Sequence, residues 1–166
     1  MAEHIPYTVD YSGRQVDIEL LQSISKPVDL QQVSVSSVTQ TPKIVTGIQK
    51  LVQRYTSLML QLLGTTHFDQ DNGSELISTV VAGAIGSPGT LQNLFAVANN
   101  KVIRQLKKDD VQTDVYGTMP NDERLDSTTL LDYDIDYGSS VAYLRIQITS
   151  VAGDSIEFIV PTTAPR

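Results

Sequence analysis

Three carboxylates alternate along TTLLDYDID, at Asp132, Asp134 and Asp136, a spacing that could assemble a cation site. On a strand, alternate residues share one face about 7 Å apart, twice the rise per residue. Repulsion between neighbouring acids on a solvated face is the commoner result of such a pattern. A second acidic stretch, DQDNG at 69–73, invites comparison with a calcium loop. Such a loop needs glycine sixth and a bidentate glutamate twelfth. Counting from Asp69, those places hold Ser74 and Val80, so the stretch reads as an Asx-type turn. His4 and His67 fall in an arm and a turn without a patterned partner, which reads as two exposed side chains. A glycosidase needs two carboxylates about 5–10 Å apart, one of them kept protonated. Glu75 and Glu123 are candidates that nothing in the sequence pairs, and the chain has no tryptophan to build a sugar platform. It carries no G-x-S-x-G, P-loop, G-x-G-x-x-G or H-E-x-x-H signature. The expectation is a non-enzymatic protein with no metal and no cofactor.

The elements that would position such residues fit one domain. A chain of 166 residues, 40% of them apolar, can bury roughly 70% of its unfolded surface. It holds no apolar run approaching the ~18 residues of a membrane span. The opening MAEHIPYTVDYSG lacks the basic flank and apolar stretch of a signal peptide, so none is expected. The absence of cysteine excludes disulfides and thiolate chemistry. Of the net charge of −7, the span from Asp109 to Asp136 holds nine acids against one base, Arg124, which leaves the remainder near neutral. Lys101, Arg104, Lys107 and Lys108 form a basic cluster just upstream. The asymmetry suits charged protein partners, with two ordinary solvated faces as the plainer alternative, and overall acidity disfavours nucleic acid.

Residues 1–40 read as an extended N-terminal arm with short strands, QVDIELL at 15–21 and VSVSSV at 33–38, and residues 41–166 as the domain proper. Thr41 and Pro42 suit the N-cap and first position of a helix that Gly64 ends. Its apolar stripe is Ile44, Ile48, Leu51, Val52, Tyr55, Leu58, Met59 and Leu62, with Lys43, Gln49, Lys50, Gln53 and Arg54 on the other side. Residues 75–86 fit a short helix or a buried strand equally well. Ser87-Pro88 opens a second helix with a stripe of Leu91, Leu94, Phe95, Ala98, Val102 and Leu106, and its basic cluster is expected near the negative C-terminal end.

The last fifty residues read as sheet. Leu131, Tyr133 and Ile135 share one face of the first strand; Ala142, Leu144, Ile146 and Ile148 share one face of the second. After the loop at 150–154, Ile156, Phe158 and Val160 point inward, and Pro161 with the tail TTAPR is expected to stop pairing. The fold class is α+β: two main helices on a small, mostly antiparallel sheet ending in a C-terminal β-hairpin. Removal of residues 155–166 is expected to leave a soluble core.

The order of GIQKLVQRYTSLMLQLLG, the turn FDQDNGSEL, a second helix, NDERLDS and a closing hairpin resembles the sheath-initiator family of contractile-tailed bacteriophages, the baseplate wedge family once labelled lysozyme-like. The resemblance covers roughly residues 43–161. It rests on the aspartate-rich turn Phe68 to Ser74 after the first helix, and on Asp122-Glu123-Arg124-Leu125, similar to the family's acid-proline-arginine element. Here Glu123 stands where that element has proline, and Pro120 lies nearby.

The resemblance implies a structural role in the virion tail baseplate, assembled in the bacterial host cytoplasm. Implied partners are the tail sheath protein, the baseplate wedge proteins and the tail tube protein, with several copies in a ring and no nucleic acid or membrane. The hairpin strand with Ile156, Phe158 and Val160 is the candidate acceptor of a sheath strand, against the alternative of an ordinary hairpin on its own core. Asp122 and Arg124 are candidate partner contacts, with an internal turn bond for Arg124 as the alternative. The alternative function, from the family's older label, is a peptidoglycan-degrading hydrolase.

Overall fold

A computed structural model of the chain describes residues 17–18, 21–25, 31–35, 44–65, 71–82, 87–136 and 141–163. Four short strands come first: β1 (Asp17–Ile18), β2 (Leu21–Ser25), β3 (Gln31–Val35) and β4 (Ile44–Val45). Helices α1 (Gly47–Leu60), α2 (Leu76–Val81) and α3 (Pro88–Tyr116) follow. A 3-10 turn at Asn121–Glu123 leads into β5 (Leu125–Asp136), β6 (Val141–Ser150) and β7 (Ser155–Thr163). The fold is α+β, with helices packed on one face of the antiparallel β5–β6–β7 sheet.

Alternation decides which face is covered. On β6, Ala142, Leu144, Ile146 and Ile148 are buried against Leu51, Tyr55 and Met59 of α1 and Leu91, Phe95, Val102 and Leu106 of α3. Tyr143 on the same strand is exposed, and Arg145 and Gln147 are half-buried. An antiparallel sheet with one packed and one solvated face reads in this alternating way. The rings of Tyr55 and Phe158 meet edge to face, with centroids 6.2 Å apart and planes at 81°, tying α1 to β7.

Several boundaries depart from expectation for identifiable reasons. Helix α1 begins at Gly47 rather than after Thr41, because Ile44 and Val45 pair with Ile18 and Asp17 as the ladder β1–β4. Thr46 is extended and Gly47 takes φ +63°, a corner that a β-branched residue could not turn cheaply. The helix ends at Leu60, and Gly64 (φ +77°) shapes the turn beyond it. Residues 76–81 are helical, which resolves the open alternative. Ser87 caps α3 through a bond from the Thr90 amide to its Oγ, as Ser87-Pro88 implied. That helix continues to Tyr116, so the basic cluster lies well before its end, and the helix dipole does not explain it.

On β5 the expected alternation holds at Tyr133 and Ile135 and fails at Leu131, which is 42% exposed. A register shift between Leu130 and Asp132 leaves Leu131 as the extra residue of a bulge, so Leu130 takes the inward place. Strand β7 passes through Pro161 and stays registered with β6 as far as Thr163↔Val141, so pairing does not stop at the proline. Phe158, Val160 and Thr162 are buried. Deleting residues 155–166 would therefore remove part of the core rather than leave it soluble.

Two of the arm's described strands, β2 and β3, belong to the same sheet. Its strand order is β2–β3–β7–β6–β5, with β2 and β3 an antiparallel hairpin and β3 beside β7 in parallel, Gln32 opposite Ile159. The edge of β7 proposed for a foreign strand thus carries the chain's own β3.

Candidate assembly site

The acid-arginine element DER sits at a junction of four structural parts. Pro120 (φ −60°) starts the 3-10 turn, whose bonds are Glu123 N to Pro120 O (3.1 Å) and Arg124 N to Asn121 O (3.4 Å). The β6–β7 turn docks on it: Val151 N donates to Arg124 O at 3.0 Å and Ala152 N to Asn121 O at 3.2 Å. The start of α1 docks on the other side, where the Gly47 amide donates to Glu123 Oε1 at 3.3 Å. The Asp122 carboxylate lies so near Gly47 that a Cβ there would come within 2.9 Å of Oδ2.

Glu123 is fully buried, and its Oε2 accepts from Lys50 Nζ at 2.9 Å, with that lysine side chain only 7% exposed. Two buried opposite charges in this geometry hold a junction together, because neither can lose the other without a large desolvation penalty. Lys50 and Gln53, expected on the side of α1 opposite its apolar stripe, are both buried. Arg54, one position further, donates to Glu123 O (3.3 Å), Met119 Sδ (3.4 Å) and Asp110 Oδ1 (3.0 Å). Lys50, Gln53 and Arg54 recur at helical spacing, so a polar stripe beside the apolar one was the available signal for this junction.

Arg124 resolves toward the internal alternative. Its Nη2 donates to both Asp114 oxygens, at 2.5 and 2.7 Å, and its Nε to Met119 O at 3.0 Å. Asp114 Oδ1 also accepts from the Met119 amide at 3.0 Å. The Arg124 hydrogen bond, then the backbone bond from Met119, hold the Asp114 carboxyl below the usual aspartate range. The arginine fork joins the end of α3 to the start of β5 rather than reaching outward.

Ile156 is half-buried, and Phe158 and Val160 point into the chain's own core. The backbone of β7 is paired on both sides, with β6 and with β3, and its alternate residues Glu157 and Ile159 lie on the face away from that core. The structure does not bring Asp122 and Arg124 onto β7; the two regions are linked through the β6–β7 turn. On the solvated face, Asp132, Tyr133, Asp134, Tyr143, Arg145 and Ile159 line a shallow open groove. Arg145 stands opposite Asp132 in the ladder and pairs with Glu157 at 2.6 Å. Asp132 and Asp134 therefore share their groove with an arginine, and the side chain of Asp136 lies outside the described residues.

Part of the aspartate-rich turn is described, from Asp71 onward, while Phe68, Asp69 and Gln70 lie outside, as do His4 and His67. Gln105 of α3 clamps this turn: its Nε2 donates to Asp71 O and Gly73 O, and its Oε1 accepts from Gly73 N. The described part of the turn is thereby packed against α3. Among the described residues, no cluster of three or more acids and histidines could hold a metal, and no helix is long and apolar enough to cross a membrane. No protein-family model, no curated protein and no solved structure matches this chain.

Proposed function

We propose that this chain is a structural component of a phage contractile-tail baseplate, one that joins wedge proteins around the tail tube and nucleates sheath assembly by β-strand sharing. The observation that carries the reading is the position of β7. It is registered with β6 from Thr149↔Ser155 to Val141↔Thr163, and on its other side meets the arm strand β3, registered in parallel at Gln32↔Ile159. Because both sides of β7 are paired within the chain, a shared strand would either replace β3 there or pair at the border strand β2. The core anchors β7 through Phe158 and Val160.

The border of the sheet at β5 is unsuited to that role. Strand β5 carries two register shifts and the exposed acids Asp126, Asp132 and Asp134, features that discourage strand addition. The junction at Lys50, Glu123 and Arg124 then serves as the rigid corner that fixes the hairpin against the helices.

The hydrolase alternative loses support from Glu123, which is fully buried and ion-paired and so unable to reach a glycan. Removing the reading frame from the phage or prophage that carries it, followed by electron microscopy, tests the proposal. Tail tubes without sheath are expected; normal contractile tails would overturn it. A cell-wall clearing assay on the purified protein is expected to be negative.

A further inference from the structure

We infer that the outward face of α3 docks on the solvated face of the β5–β6–β7 sheet of a second copy of this chain, so that copies associate head to tail. The contact does not depend on the baseplate reading.

Helix α3 turns Leu91, Phe95, Ala98, Val102 and Leu106 to the core. At about 3.6 residues per turn, the line Val97, Lys101, Arg104, Lys108, Val111 and Val115 runs along the opposite side. Its alternating steps of four and three residues are those of a helix seam that meets a partner along its length. The three valines are 65%, 68% and 75% exposed. Single exposed apolar residues are ordinary on a protein surface, but these three share one line with a basic centre.

The cations of that centre differ from those elsewhere in the fold. Lys50, Arg54, Arg124 and Arg145 each hold a carboxylate of their own chain. Among the described residues, Lys101 and Arg104 hold none, and neither does Lys107 beside them. Two such seams repel one another, because their positive centres would meet. The occupant therefore presents carboxylates at its middle with apolar groups around them.

The solvated face of the chain's own sheet has that composition. Asp132 and Asp134 line its groove together with Tyr143 and Ile159. Arg145 and Glu157 pair there and cancel, so the two aspartates set the sign. The aspartates alternate on β5, which puts them about 7 Å apart. The seam's basic centre, Lys101 to Lys108, extends about 10 Å along the helix axis, so it can span both. The whole seam is about 27 Å long. Strands β5 and β6, of 12 and 10 residues, run at least about 33 Å and can lie under all of it.

The net charge of −7 opposes association at long range. Screening confines that repulsion to about 8 Å at physiological ionic strength, so the patches in contact decide the outcome. The seam faces away from the sheet and the groove faces away from the helices, so one copy can engage a neighbour through each. Such a heterologous contact closes into a ring where the rotation between copies allows it, and otherwise continues as an open chain.

The test is sedimentation velocity on the full-length protein at concentrations up to about 0.1 mM, which detects dissociation constants of about that size. The parent is expected to self-associate at low ionic strength. Raising salt from about 0.01 to 1 M cuts the screening length from about 30 to 3 Å and is expected to weaken association at least about tenfold. A parent that stays monomeric at every salt concentration overturns the docking.

Charge reversal identifies the surfaces. K101E/R104E makes the seam acidic, and D132N/D134K makes the groove basic while keeping an oxygen for the Tyr133 amide. Each variant alone is expected to be monomeric, since its two surfaces then match in sign. An equimolar mixture is expected to associate again, because each seam finds an opposite groove on the other variant. Either variant associating alone as strongly as the parent, or a mixture that stays monomeric, overturns the inference. V111S/V115S leaves every charge in place and is expected to weaken association at least about tenfold through lost apolar contact. An unchanged association constant in that variant overturns the seam.

Discussion

Lys50 Nζ and Glu123 Oε2 lie 2.9 Å apart inside the protein, seventy-three positions apart in sequence. This pair joins α1 to the 3-10 turn that leads into the sheet. Removing one partner leaves the other charge buried and alone, at a cost of about 3–5 kcal/mol. Glu123→Ala is therefore expected to lower the urea midpoint strongly, and so is Lys50→Ala. The double variant Lys50→Met with Glu123→Leu is expected to recover most of the loss. A double variant less stable than both single ones would contradict this account.

Asp114 gives the protein an acid-sensitive contribution. Its carboxyl titrates lower in the folded chain than the ordinary 3.8 of aspartate, chiefly through the Arg124 hydrogen bond. A depressed folded value means the unfolded chain binds the proton first, so this stability is present above the ordinary value and is lost as pH falls through the folded one. Asp114→Asn is expected to flatten the pH dependence of unfolding below about pH 4, which denaturation at a series of acid pH values would measure. Equal slopes in parent and variant would count against the Arg124 contact.

Tyr55 acts at the other end of the scale. Burial pushes its phenol far above the ordinary value of 10.0, partly offset by the Thr128 hydroxyl, and its hydroxyl donates to Asn99 Oδ1 at 2.7 Å. The unfolded chain loses this proton first, so stability declines as pH rises past about 10. Tyr55→Phe is expected to cost about 1 kcal/mol at neutral pH and to remove part of the alkaline decline. Alkaline unfolding curves of the two proteins provide the comparison.

Two glycines make a graded pair. At Gly73 (φ +101°) an added Cβ would lie 2.6 Å from Gln61 O and 2.9 Å from Leu62 O, both fixed backbone atoms. At Gly47 (φ +63°) the close atom is Asp122 Oδ2, the end of a side chain. Both substitutions by alanine incur backbone strain of about 1–3 kcal/mol, and Gly73→Ala adds a clash that cannot relax by rotating a side chain. Thermal unfolding should rank Gly73→Ala below Gly47→Ala; the reverse order would refute the close approach.

Local chemistry was the legible part of this fold. Ser87-Pro88 announced α3 because a capping hydroxyl followed by proline acts within one turn. The alternation of β6 and β7 announced a sheet with one buried face. What could not be read depended on partners distant in the chain. Thr41-Pro42 resembled a helix start, but Ile44 and Val45 are taken by Asp17 and Ile18. Lys50 and Gln53 lie off the apolar stripe of α1, and they are buried because the 3-10 turn packs against that side of the helix. Arg124 was visible as a candidate fork, yet its acceptor was Asp114 on α3 rather than a neighbour's acid. Strand β3 covers β7 through residues more than a hundred positions apart, and no short-range pattern encodes such a pairing.

The bulges and surface carboxylates of β5 carry a consequence for how copies of this chain can combine. A ribbon open on both flanks could recruit successive molecules without end, as fibrils do. With acids and an irregular backbone on one flank, β5 discourages a further strand from pairing there. A sheet with one guarded border of this kind cannot propagate by edge-to-edge stacking through that border.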